Sequence, residues 1–200
     1  MSDLFLACRD ETVFCPLSKL PFVHMDLRYA GSNNICGQDL YQGEREAWLH
    51  HEAFEAFLRC GQALSILAPT WRFRVYDAAR PASVQKRLYA QVMGTEREAY
   101  VANPANGSVH NYGFALDLGL SDAEGRELDL GTEFDSFESV SQPQLEEAYA
   151  SQGLLKPAHL ERRLILRTLM AAGGFRQHPL EWWHFDLRPL EAIKQHYAMI

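Results

Sequence analysis

Between Glu44 and Ala68 the apolar residues Trp48, Phe54, Phe57, Leu58 and Leu64 return at roughly helical spacing, and Pro69 ends the run. The pattern predicts a long core helix over residues 44–68. It changes at "WRFRVYD", where Trp71, Phe73 and Val75 alternate with Arg72, Arg74 and Tyr76, the period-two signature of a strand with one buried face. Asp77 and Arg80 sit at that strand's exit. Pro81 can open the next helix, "ASVQKRLYAQVM", because its missing amide would be unpaired there in any case. Residues 94–107, rich in Gly, Asn and Pro, read as a loop, Gly113 as a turn, and "FALDLGL" as a short strand. The stretch 159–174 sets Leu160, Leu164, Leu169 and Met170 on one side and ends on a glycine pair, as a helix does. "EWWHFDL" is aromatic and strand-like, and a C-terminal segment closes the chain. Helices and strands mix without regular strand-helix-strand alternation, so the expected class is α+β and not a doubly wound sheet.

Composition narrows the picture. Two hundred residues, 47% of them hydrophobic and 12% aromatic, can bury one substantial core, and no repeat, low-complexity tract or linker divides them. One domain over 1–200, with one active centre, is expected. A formal charge of −7 without a Lys/Arg block argues against nucleic acid and anionic membranes, which need a basic face to displace counterions. A small ligand is the easier partner to defend, and a homo-oligomer stays open. The start "MSDLFLACRDETVF" has no basic stretch followed by a long apolar core, and no apolar run is long enough to span a bilayer, so a cytoplasmic protein is expected. Cys8, Cys15, Cys36 and Cys60 never form Cys-x-x-Cys; they suggest reduced, packed thiols instead of a zinc knuckle or a redox pair.

The chemistry begins with a misplaced charge. In "SVHNYGFALDL" the carboxylate of Asp117 stands among Phe114, Ala115, Leu116 and Leu118. Burying it costs several kcal/mol unless donors or a cation meet it. His110, seven residues earlier, supplies half of an answer, and His184 in "EWWHF" offers a second imidazole, completing the three protein ligands typical of catalytic zinc with a fourth position left for water. Glu181, three residues before His184, suits the base that takes a proton from such a water. Residues three apart on a regular strand face opposite ways, so Glu181 and His184 converge only if Glu181 precedes the strand or opens it; His178-Pro179 just upstream makes a loop plausible there.

These motifs resemble those of the VanX-like zinc D-alanyl-D-alanine dipeptidases, relatives of the D-Ala-D-Ala carboxypeptidases that share their architecture with the hedgehog signalling domain. The pattern S-x-H-x-x-x-x-x-x-D stands here as "SVHNYGFALD" and E-x-W-H as "EWWH"; "LRYAGSNNICG", "YDAARP" and "DLGTEFDSF" resemble further blocks, in the same order from about residue 27 to 188. The resemblance implies a small, mainly antiparallel sheet packed with helices, one zinc ion per chain on His110, Asp117 and His184, and Glu181 as general base. It also implies Arg80 against the scissile carbonyl, and Tyr29, Ser108 and Asp135 around the ammonium of a dipeptide substrate. Trp182, Trp183 and Phe134 are candidate pocket walls. Two departures stand out: Ala78 and Ala79 replace a glycine and an aromatic residue before Arg80-Pro81, and the stretch after Asp135 differs from the family's acidic, His-containing continuation. Rival expectations are a carboxypeptidase of the same fold acting on longer peptidoglycan peptides, and a non-catalytic zinc module.

Overall fold

The computed structural model describes residues 3–200; Met1 and Ser2, at the head of the N-terminal stretch, lie outside the described residues. The strands are β1 (Phe14–Pro16), β2 (Val23–Met25), β3 (Trp48–His50), β4 (Arg72–Asp77), β5 (Ala115–Ser121), β6 (Arg176–Gln177) and β7 (His184–Asp186). The α-helices are α1 (His51–Leu67), α2 (Ala82–Val92), α3 (Glu146–Ser151), α4 (Pro157–Gly173) and α5 (Leu190–Ile193). β1 and β3 form a small antiparallel pair, and the rest make a five-stranded sheet in the order β2-β4-β5-β7-β6, antiparallel except for β2 beside β4. The molecule is α+β, with a mainly antiparallel sheet, as expected.

Alternation decides which face of the sheet does what. The cross-strand pairs Phe73–Leu120, Val75–Leu118 and Leu116–Phe185 are buried and build one apolar face. Helices α1 and α4 cover it; Phe57 of α1 meets the ring of Phe73 at 5.1 Å between centroids. The opposite face carries Asp117, Gly119 and Ser121 of β5, and it is buried as well, because Tyr76 folds over Gly119 and Phe134 stacks on Tyr76. A strand whose two faces are both covered explains why every residue of β5 is inaccessible although only alternate ones are apolar enough for a core.

Four expectations need correction. The helix foreseen over 44–68 begins only at His51: Trp48 belongs to β3, whose pairing with β1 outcompetes one more helical turn. Trp48 therefore fell in helical register by coincidence. On α4 the inward side is His159, Arg163, Leu166, Leu169, Met170 and Gly173, so Leu169 and Met170 face the core as expected, whereas Leu164 is 59% exposed and its place in the stripe goes to Arg163. Within the 94–107 loop, Glu96–Tyr100 winds into a short 3-10 turn capped by the Thr95 hydroxyl. Pro81 serves as the N-cap of α2, one place earlier than its first turn. All four cysteines are unpaired thiols, and among the described residues no helix is long and apolar enough to cross a membrane.

Helices α1 and α4 touch at Gly173, where a Cβ would lie 2.5 Å from the Ala56 carbonyl oxygen and would collide with the Cys60 sulfur. Backbone blocks this contact, so it cannot relax by a rotamer change. Gly173→Ala should cost about 1–3 kcal/mol of unfolding free energy by overpacking. Denaturant titration against the parent chain measures it, and an unchanged midpoint would show that the helices have room to part.

Candidate metal centre and active site

Register brings the charged groups together before any side chain is considered. A bulge between Val75 and Asp77 shifts the pairing of β4 with β5 by one residue, so that Asp77 stands opposite Asp117, and Asp117 in turn stands opposite His184 on β7. Residues directly paired across antiparallel strands share a face. Asp77, Asp117 and His184 thus form a row across three strands.

His110 reaches this row from a 3-10 turn, Val109–Tyr112, that "SVHN" encodes locally. The Ser108 hydroxyl accepts from the His110 amide at 3.3 Å, and the Asn111 side chain accepts from the Ser108 amide at 2.7 Å, a reciprocal cap. Gly113 closes the turn at φ 72°, in the left-handed region, where a Cβ would also press on the His50 amide at 2.8 Å. The Asn111 amide group donates to the Arg80 carbonyl at 2.8 Å, and the Arg80 amide donates to the His110 carbonyl at 2.9 Å, which locks the turn against the exit of β4.

Three donor atoms converge. His110 Nε2 lies 3.2 Å from His184 Nδ1 and 3.3 Å from Asp117 Oδ2, and His184 Nδ1 lies 2.8 Å from Asp117 Oδ1. These three side chains are the group of His, Cys, Asp and Glu among the described residues whose ligand atoms all fall within 4.8 Å of one another. Each ring is oriented from behind: His110 Nδ1 is 2.6 Å from the Ala78 carbonyl, so it carries the proton and leaves Nε2 as a lone pair aimed at the cluster. His184 Nε2 lies 3.0 Å from Asp186 Oδ1. Burial opposes charge on His184, yet Asp186 and Asp117 outweigh it and hold the ring well above the usual histidine range. Burial likewise disfavours the Asp117 carboxylate, but His110 and His184 keep it well below the usual carboxylate range. Such a cluster stabilises positive charge between its members, which a divalent cation supplies. Its two imidazoles, one carboxylate and outer partners fit a metal centre with an open position.

Around the cluster lies a cavity of about 230 Å³, below the usual range of drug-sized clefts and suited to a short molecule. Glu181 lines it from the turn that precedes β7, which resolves the strand-parity objection: its Oε2 is 4.0 Å from His184 Nδ1 and 3.9 Å from His178 Nδ1. Burial pushes the Glu181 acid up to about 8, against the pull of His184. Arg80 stands on the other side, nearly buried, with Nε donating to Asp77 at 2.7 Å, Nη1 to Gln85 at 2.9 Å and Nη2 to Asp117 at 3.2 Å. Its guanidinium lies over the Tyr29 ring at 4.9 Å. The ion pair with Asp77 is therefore real, and it fixes the guanidinium without removing it from the cavity. Asp77 is itself held by the Tyr41 hydroxyl.

Tyr29, Ser108 and Asp135 line the same cavity, the Tyr29 hydroxyl donating to Asp135 Oδ2 at 3.0 Å. Burial, with Asp117 adding to it, pushes Asp135 up to about 7. Among the proposed walls, Trp183 faces the cavity and Phe134 packs behind it at 5.5 Å, whereas Trp182 is core: its indole donates to Thr132 at 2.7 Å. Ala78 and Ala79 leave no gap, since both are buried and Ala78 contributes its carbonyl alone to His110. The divergent stretch after Asp135 brings Ser136 and Phe137 to the rim, where Phe137 meets Tyr100 edge-on at 5.6 Å. His178, Asp186, Gln85 and Tyr41 were not singled out by sequence. Only Asp186 carried a usable signal, two residues beyond His184 and hence on the same strand face.

Comparison with known proteins identifies the family. A family model described as D-Ala-D-Ala dipeptidase, of the M15 peptidases, matches residues 11–200. The D-alanyl-D-alanine dipeptidase of Escherichia coli is 34% identical over 168 residues, covering 84% of this chain and 80% of that protein. The proteins of the same name from Synechocystis and Enterococcus faecium are 28% identical over 176 residues and 32% identical over 117, covering 71% and 52% of their own lengths. The chain belongs to the D-Ala-D-Ala dipeptidase family of M15 peptidases.

Proposed function

We propose that this chain is a zinc-dependent dipeptidase that hydrolyses D-Ala-D-Ala to two molecules of D-alanine. The observation that carries the reading is the convergence of His110 Nε2, Asp117 and His184 Nδ1 in a small cavity that also holds a largely buried glutamate, a fixed arginine and an acidic contact. His110, Asp117 and His184 would hold the zinc ion, which when bound supplies Lewis acidity to the scissile carbonyl and to an attacking water. Glu181 takes the proton from that water and returns it to the leaving amine, a double duty suited to a carboxylate whose burial has raised its proton affinity towards neutrality. Arg80 has five N–H donors, of which three are committed to Asp77, Gln85 and Asp117. The remainder can meet the oxyanion that develops on the carbonyl.

Substrate length follows from charge placement. Asp135, half-buried against Tyr29 and crowded by Asp117, feels Arg80 but forms no ion pair with it, which leaves it able to take a substrate ammonium. Ser108 adds a hydroxyl beside it, and Trp183 closes one wall. A free amino terminus one residue from the scissile bond satisfies Asp135 while its carbonyl meets Arg80; a longer chain would have to bury a neutral peptide against an acid, which disfavours it.

Two outcomes are expected. Glu181→Gln should bind zinc with unaltered stoichiometry and lose about 100- to 10,000-fold in kcat for D-Ala-D-Ala; activity within a few-fold of the parent would remove Glu181 from the mechanism. Chelation should abolish turnover in the parent and zinc should restore it. Because Glu181 works as a carboxylate, protonation removes the base as pH falls. A divalent cation beside it draws its affinity back down, so the acid limb of kcat/KM should have its midpoint between the ordinary carboxylate range and about 8. A profile flat across that interval would contradict the assignment.

A further inference from the structure

Arg163 takes no part in the scheme above, yet it is the most deeply buried charge on α4, with a wholly inaccessible side chain. Its Nε donates to the Leu130 carbonyl at 2.7 Å and its Nη1 to the Val140 carbonyl at 3.0 Å. Those carbonyls are the two feet of an excursion of the chain whose midpoint is Asp135. A second tie crosses the same neck, for the hydroxyls of Thr132 and Ser141 lie 3.1 Å apart. Trp182 joins both feet to the next segment: its indole donates to Thr132 at 2.7 Å, its amide donates to the Ser141 carbonyl at 3.1 Å, and its ring lies 5.8 Å from the Arg163 guanidinium. The residue before Trp182 is Glu181.

Two features set this arrangement apart from ordinary packing. Asp135 has φ 59°, a left-handed conformation that Asp adopts more readily than most residues with a side chain but that still costs free energy which the surrounding structure must offset. Arg163 is also an expensive way to fill space: its nearest carboxylate atom, on Glu146, is 3.5 Å away, and its Nη2 makes no hydrogen bond. An aliphatic side chain would occupy the same volume without desolvating a charge. What it could not do is grip two carbonyls at a fixed spacing, which a planar guanidinium does.

We propose that Arg163 is a positioning residue for substrate recognition: by clamping the neck of residues 131–139 it sets where Asp135 meets the substrate's ammonium relative to Glu181. The inference rests on the reading of Asp135 as the ammonium contact. That contact exists in ground and transition states alike, so loosening it raises KM and spares kcat.

The test uses the zinc-loaded full chain. Arg163→Met should raise KM for D-Ala-D-Ala about tenfold with kcat within about twofold, and Arg163→Lys, able to reach one carbonyl only, should fall between it and the parent. In an Asp135→Asn background the same Arg163→Met change should shift KM less than about twofold, because neighbours acting through one contact are not additive. Hydrogen exchange of the 131–141 segment should quicken while that of α1 stays unaltered. The proposal is overturned if Arg163→Met leaves both KM and segment exchange as in the parent, or if its KM effect is undiminished beside Asp135→Asn. Should Asp135→Asn by itself leave KM unaltered, the ammonium assignment fails, and segment exchange then decides the clamp alone: faster supports it, unchanged overturns it. If Arg163→Met does not fold, Thr132→Val cuts the same neck and is read by the same KM and exchange measurements, with no change in either counting against the clamp.

Discussion

Negative charge crowded out of water is the constraint on which the remainder of this structure depends. Asp77 and Asp117 are essentially inaccessible, Asp135 and Glu181 line a small cavity, and Asp186 stands directly behind His184. An unmatched buried carboxylate costs several kcal/mol, so the positive partners are not optional. Arg80 answers Asp77 and Asp117 together, and the two imidazoles stand at Asp117 on the other side with room for a cation between them. What remains unanswered is negative, and it faces the cavity. The unmet demand for positive charge falls at two places, between the imidazoles and beside Asp135, and a cation and a substrate ammonium are the species that meet it.

The sheet makes this concentration affordable by separating it from the core. Phe73, Val75, Leu116, Leu118, Leu120 and Phe185 face the helices, and the charged row faces the other way. The bulge in β4 is the decisive irregularity: with unbroken register Tyr76 would stand opposite Asp117, and Asp77 would turn towards the aliphatic side. Arg80 would then lose the partner that holds its Nε.

Much of this could be seen in the chain beforehand, for identifiable reasons. Asp117 was conspicuous because a charge interrupted an apolar run, and His110 and His184 followed as partners of the residue type such a charge requires. Strand β4 was legible because period two holds from Arg72 to Val75, but the burial of Tyr76 and Asp77 beyond it, where the bulge lies, was not. Helix α1 was misjudged at its start because Trp48 fits helical and strand spacing equally, and only the pairing of β3 with β1 decides between them. Leu164 was assigned inward on hydrophobicity, when the inward place went to the charged Arg163. The supports of the site were largely illegible, since they are backbone or distant: the Ala78 carbonyl, the Tyr41 hydroxyl and Gln85 show no pattern that singles them out. Tyr29 and Asp135, more than a hundred residues apart, were reached by resemblance, and their hydrogen bond belongs to tertiary structure alone.

The way His110 is aimed has its own implication. Its outer nitrogen is met at hydrogen-bond distance by the Ala78 carbonyl, with Asp77 Oδ2 further off at 3.6 Å, so the methyl group of Ala78 is a spectator to the imidazole's orientation. Evolution, or an engineer, is therefore free to change the side chain at that buried position, within the limits of tight packing, while the ring keeps its heading.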